Sequence, residues 1–141
     1  MAMQNNTVGL KTKLQAAGLR ATRQRIDLAR IIFGAGNRHL SAESLHAEAQ
    51  RAGIRVSLAT IYNTLNQFTA AQLLREIVID PRRSYYDTNT AAHHHFYFED
   101  EGHLEDIPAE RLSLQGLPVP PPGTRIDGVD IVIRLTRHLP A

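Results

Sequence analysis

The hydrophobic period of this 141-residue chain changes near residue 70, and that change constrains the fold more than any other feature. Before it, apolar side chains recur three and four apart, as on one face of a helix. After it they fall in short or alternating runs, as in strands. Residues 7–17 read as a short helix with Leu10 and Leu14 four apart and Gly18 as its stop. Thr22 is expected to cap a helix over 23–33, Ser41 one that runs to about 52, and a fourth helix starts after Ser57. In the fourth, Leu58, Ile61, Leu65 and Phe68 share one sector, with Ala59, Tyr62, Asn63 and Asn66 on the other side. His39 is expected in a loop. Residues 74–79 and 84–87 then read as two strands around an 80–83 turn with a basic tip. Helices followed by a basic-tipped hairpin make the pattern of a winged helix-turn-helix.

The second half is expected to hold strands at 93–98 and 104–107, a short helix at 108–115, and a stiff proline-rich connection at 118–123. Alternation of Val129, Ile131, Ile133 and Leu135 with less apolar residues marks a last strand. The chain ends, Gln4 to Asn6 and the last few residues, are expected to fray.

Charge is divided unevenly. Residues 1–83 carry twelve Lys/Arg and five Asp/Glu, a net +7, whereas 84–141 carry four and nine, a net −5. A basic half joined to an acidic half points to one part that meets a polyanion. The polar side of the fourth helix, with Ser57, Thr60, Tyr62 and Asn63, suits base edges or phosphates in a major groove. The Tyr62 ring would lie on a thymine methyl, or its hydroxyl would donate to a phosphate. Lys11, Lys13, Arg20, Arg23 and Arg25, with Arg82 and Arg83 at the hairpin tip, are candidate phosphate contacts.

The densest chemistry is His93-His94-His95. On a strand, His93 and His95 share a face, and Asp87, Asp106 and His39 can approach them. Imidazole and carboxylate without sulfur suit Fe²⁺, Mn²⁺ or Zn²⁺. The chain has no cysteine, which excludes disulfides, thiolate zinc sites and iron–sulfur clusters. No apolar run approaches the roughly 20 residues that span a bilayer. The N-terminus lacks the pattern of a signal peptide, so a cytoplasmic protein without a membrane partner is expected. A metal-dependent hydrolase is the alternative from another class, although no ligand motif such as His-Glu-x-x-His is present.

Ala17-Gly-Leu-Arg-Ala-Thr-Arg-Gln-Arg25, His39-Leu-Ser-Ala-Glu43, Ser57-Leu-Ala-Thr-Ile-Tyr-Asn-Thr-Leu-Asn-Gln-Phe68, Tyr86-Asp87 and the histidine run together resemble the ferric uptake regulator superfamily. The resemblance implies an α+β chain with an N-terminal winged helix-turn-helix domain, 1–88, and a small C-terminal α/β dimerisation domain, 89–141. It implies a homodimer on operator DNA. Its regulatory metal ligands fall on His39, Asp87, His93, His95 and Asp106, with Mn or Fe, or else Zn, as the metal. Where family members carry Cys-x-x-Cys for a structural zinc, this chain reads Phe98-Glu-Asp-Glu-Gly102, so no structural cysteine–zinc site is expected.

The cysteine-free pattern looks most like the iron response regulator branch of alphaproteobacteria. That likeness implies a regulator of iron homeostasis that also responds to haem, bound through His93, His94 or His95, and a partner protein of haem biosynthesis. Haem competing for the histidines would release a metal clamp between the domains. Asp87 with Asp106 also resembles the oxygen-rich site of the peroxide-sensing branch, the alternative within the superfamily.

Overall fold

A helix needs a cap for its first N–H groups, and the sequence supplies one at each start. In this computed structural model, which describes residues 6–137, α1 (Thr7–Ala16) is capped by Asn6, whose side chain accepts the Gly9 N–H at 2.7 Å. Asn6 therefore does not fray as expected; Gln4, Asn5 and the residues from 138 on lie outside the described residues. Thr22 caps α2 (Arg23–Phe33), Ser41 forms a reciprocal box with Ser44 on α3 (Ala42–Arg51), and Ser57 caps α4 (Leu58–Ala70). No described helix is long and apolar enough to cross a membrane.

Three helices end by the same device. Leu19, Ile54 and Leu73 return their N–H groups to Leu14, Ala49 and Phe68, each at 2.9 Å. The residue before each has positive φ: Gly18, Gly53 and, without the freedom of glycine, Gln72 at 64°.

The chain forms two compact units, Met1–Thr90 and Ala91–Ala141. The core of the first joins Leu10 and Leu14 of α1, Leu28 and Ile32 of α2, Leu45 of α3, and Ile61, Leu65 and Phe68 of α4. Leu58, expected on that stripe, is 36% exposed; it is the first residue of α4, and Thr64 is buried among the later turns instead. Against this core lies a three-stranded antiparallel wing, in the order β1 (His39–Leu40), β3 (Arg83–Asp87), β2 (Arg75–Asp80). His39 is thus on a strand rather than in a loop, and it pairs in register with Asp87. The hairpin is tighter than expected, with Asp80 and Arg83 already in the strands and only Pro81 and Arg82 between them.

The second unit is a three-stranded mixed sheet in the order β5 (His103–Pro108), β4 (His93–Phe98), β6 (Val132–Leu135). β4 is antiparallel to β5 and parallel to β6. Register puts His93, His95 and Tyr97 on one face and Phe96, Phe98, Ile133 and Leu135 on the other. The helix expected at 108–115 is a single 3-10 turn, Ala109–Arg111, none of it buried. Without an apolar face to pack, so short a segment has little to hold it helical.

The β4–β5 turn is fastened to the end of β6 by charge. Arg134 donates to Glu99 at 3.0 Å, the Arg137 N–H to Asp100 at 2.9 Å, and the Arg137 guanidinium to Glu101.

Candidate metal centre and nucleic-acid interface

In the first unit the register of β1 on β3 brings His39 and Asp87 together, Nε2 to Oδ2, at 3.2 Å. Asp87 is 1% exposed, and its other oxygen accepts the Asn89 N–H at 2.9 Å. A buried carboxylate needs such partners, because desolvation otherwise costs several kcal/mol per ion. Beside it, Arg38 grips Glu48 of α3 through two hydrogen bonds of 2.9 and 2.8 Å, and its N–H donates to Thr88 at 2.8 Å. The short strand that carries His39 is therefore held at both α3 and the segment after β3.

In the second unit His93 and His95 are buried on one face of β4, their rings edge to face with centroids 4.5 Å apart. Asp106 comes from β5, directly opposite His95. Its Oδ1 lies 3.2 Å from Nε2 of His93 and 3.4 Å from Nε2 of His95. Nδ1 of His93 lies 2.6 Å from the Ala91 carbonyl, which can only accept. That bond puts the proton on Nδ1, so in neutral His93 the Nε2 lone pair points at a carboxylate oxygen. Two acceptors facing each other require a cation between them, either a proton or a metal. Donors about 2.1 Å from an ion in tetrahedral or octahedral array are themselves roughly 3.0–3.4 Å apart, so the cluster's spacings fit a first-row divalent metal.

His94 has a different task. Its Nδ1 accepts the Ile131 N–H at 3.2 Å from the segment that leads into β6. The ring proton of neutral His94 therefore sits on Nε2, the reverse of His93. Its expected part in haem binding would need the bond to Ile131 given up and, for ligation through Nε2, that tautomer reversed.

The expected DNA contacts separate into two sets. Ser57 and Thr60 bond to each other as the cap of α4: the Ser57 hydroxyl donates to Thr60 Oγ1 at 3.0 Å and accepts the Thr60 N–H at 3.1 Å. Lys13 has its ammonium 3.9 Å from the centroid of the Phe33 ring, and partial burial there lowers its pKa. Arg25 donates to the Arg20 carbonyl at 2.9 Å and to Gln67 at 3.0 Å, so it ties α2 to α4. These four residues, expected at DNA, also have partners within the protein.

Lys11, Arg20, Arg23, Tyr62, Asn63, Arg82 and Arg83 are exposed. At the wing tip Arg83 pairs with Asp80 at 2.8 Å, and that carboxylate is held below its usual pKa by the Arg82 N–H first and by Arg83 second. Between α4 and the wing lies a groove of about 560 Å³, bordered by Tyr62, Asn66, Arg82, Tyr85 and Tyr86. Burial first, then the charge of Glu76, pushes the Tyr86 phenol up to about 12, and its hydroxyl donates to Asn66 at 3.4 Å. Glu43 also borders this groove and accepts from Tyr62. The sequence placed Glu43 only in a first helical turn; its contact with α4 depends on how two helices cross, which has no local signature.

Residues 16–116 match the sequence profile of the Ferric uptake regulator family. The ferric uptake regulation protein of Pseudomonas aeruginosa is 33% identical over 94 residues, 66% of this chain and 70% of that protein. That of Legionella pneumophila is 35% identical over 82 residues, 58% of this chain and 60% of that protein. Among solved structures, the ferric uptake regulator of Pseudomonas aeruginosa with manganese superposes with a TM-score of 0.68 at 25% identity, covering 91% of this chain and 97% of that one. The Vibrio cholerae ferric uptake regulator gives 0.70 at 19% identity, covering 90% and 98%.

Proposed function

From the premise that the chain belongs to the ferric uptake regulator family, whose members are DNA-binding transcription regulators of metal uptake and not enzymes, we propose that it is a metal-responsive regulator of iron homeostasis. It acts in the cytoplasm as a homodimer on operator DNA. The hydrolase alternative falls with the family assignment. The observation that carries the reading is His93: its Nδ1 is fixed as a donor, so Nε2 presents a lone pair beside Asp106 and His95.

In this reading one divalent ion takes His93, His95 and Asp106 from the second unit and His39 and Asp87 from the first. Five residues lie between Asp87 and His93, a tether of at most about 22 Å, short enough for both sets of donors to reach one ion. Three imidazoles and two carboxylates with no thiolate favour Mn²⁺ or Fe²⁺, with Zn²⁺ also accommodated. The related Pseudomonas aeruginosa structure was solved with manganese. When bound, the metal supplies a charge that holds donors of both units together.

The rest of the work belongs to the chain. Tyr62, Asn63, Arg23, Arg82 and Arg83 meet the duplex, and the half-buried apolar face of the second unit, with Phe96, Phe98, Ile133 and Leu135, is covered by a second copy. Two recognition helices must then reach successive major grooves, about 34–36 Å apart or a multiple of that. A metal that restrains each DNA-reading unit relative to the dimer core would set that separation.

Haem responsiveness, and with it a link to the iron response regulator branch and a partner in haem biosynthesis, is the finer part of this reading. It rests on His93 and His95, since neutral imidazole is a good axial ligand for haem iron. Metal analysis of the purified chain, then titration of duplex DNA with and without Mn²⁺ and with haem, tests all of it. Mn²⁺ should tighten sequence-specific binding and haem should weaken it. Binding that is indifferent to metal would reject the metal switch, and indifference to haem alone would reject only the finer part.

A further inference from the structure

Glu43 and Glu76 are the two acids that border the groove between α4 and the wing, and Glu43 is the one that meets α4. It stands in the first turn of α3, and its Oε1 accepts from the Tyr62 hydroxyl at 2.8 Å. Both side chains are exposed, Tyr62 by 39%, so this is a contact made at the surface and not a buried necessity. It reaches from α3 to the second turn of α4 and opens on the groove between α4 and the wing. The hydrogen bond first, then loss of water and the Glu43 charge, raise the Tyr62 phenol above its usual pKa. The hydroxyl that could have donated to a phosphate is thereby committed to a carboxylate. Tyr62 is the only hydrogen-bond partner of that carboxylate among the described residues, and Glu43 borders the groove, so its second oxygen, Oε2, is available to a donor there.

A carboxylate here is repelled by every phosphate and gains only from a donor. In the major groove the donors are the exocyclic amines of cytosine and adenine. Adenine sets its N7 acceptor next to the N6 amine, so a carboxylate approaching it meets a lone pair. Cytosine offers N4 with no acceptor beside it on the same base edge. We propose that Glu43 is a base-reading residue: Tyr62 holds Oε1, and Oε2 accepts from the N4 amine of a cytosine. The Tyr62 ring packs beside it while its hydroxyl fixes the carboxylate's direction. The proposal rests on the DNA-binding reading above and adds one base of its specificity.

The test is selection from a pool of randomised 30-base-pair duplexes, with the full chain loaded with Mn²⁺, for wild type, Glu43→Gln and Tyr62→Phe. Glutamine keeps an oxygen for Tyr62 and adds an amide donor that matches adenine N6 and N7. Glu43→Gln should therefore move the preference at one position from cytosine to adenine, by roughly tenfold in relative affinity, and leave the other positions alone. Tyr62→Phe should blur the cytosine preference at that same position. If the glutamine variant selects the wild-type sequence unchanged, or loses affinity equally on all sequences, Glu43 does not read a base. If wild type selects no sequence and binds no duplex, the DNA-binding reading fails and this assignment fails with it.

Discussion

Two of the three adjacent histidines in one strand, His93 and His94, are chemically distinct because of what their Nδ1 atoms meet. His93 donates to a carbonyl and His94 accepts from an N–H, so their free tautomers are opposite. His93 is thereby prepared as a ligand and His94 as a tie to the chain that enters β6. His93→Ala should lower Mn²⁺ affinity by at least about tenfold, whereas His94→Ala should leave it within a few-fold and lower thermal stability instead. Calorimetric Mn²⁺ titration and thermal melting of the two variants separate these outcomes; equal losses of Mn²⁺ affinity would contradict the assignment. The sequence identified which residues are of ligand type, since that follows from side-chain chemistry and strand alternation. It could not identify the tautomers, because Ala91 and Ile131 reach the histidines only through the backbone path of the folded sheet. For the same reason the sequence could not show that Lys13, Arg25, Ser57 and Thr60 also meet Phe33, Gln67 and each other within the protein.

Elements were legible where they carry a periodic apolar face or a capping side chain. All four helices have both a side-chain cap and buried residues. The two-residue β1 buries Leu40, but two residues define no period, and its partner β3 lies about 45 residues on in the sequence. The expected helix after Pro108 had a good N-terminal residue and no face to bury, and one 3-10 turn is what remains. The end of α4 is the converse case, a turn that forms despite its residue. Gln72 takes the left-handed conformation at φ 64° that glycine takes after α1 and α3, and a side chain there costs about 1–2 kcal/mol. Gln72→Gly should stabilise the first unit by about 0.5–1 kcal/mol after glycine's greater freedom in the unfolded chain is counted. A rise in the denaturation midpoint without a change in slope would show it; a fall would mean that the Gln72 side chain supports the turn.

At the scale of the molecule, a 51-residue unit such as Ala91–Ala141 buries little of its own apolar surface. Its β6 strand is half-buried at Val132, Ile133 and Leu135 in a single copy. Ile133→Asp places a charge in the middle of that apolar face, and on the proposed dimer should shift sedimentation of the full chain from dimer toward monomer at micromolar concentration. An unchanged dimer would locate the contact elsewhere. Because Ile133 faces away from His93 and His95, the Mn²⁺ response of the remaining monomer need not be lost with it.

The fastening of the β4–β5 turn to the end of β6 carries a consequence for the conditions under which such a molecule keeps its shape. Guanidinium and carboxylate groups have no oxidation ladder, unlike thiolates, which peroxide converts to sulfenic acid and beyond. With Glu99, Asp100 and Glu101 bound to Arg134 and Arg137 and no cysteine among the 141 residues, this corner of the sheet is indifferent to thiol oxidants and to the cell's glutathione balance. Its sensitivity is to ionic strength, because exposed ion pairs are screened within a Debye length of about 8 Å at physiological salt. Thiol oxidants therefore find no target in the chain; the side chains open to other oxidants include its histidines, its tyrosines and its two methionines, and the pairs that fasten the turn contain none of them.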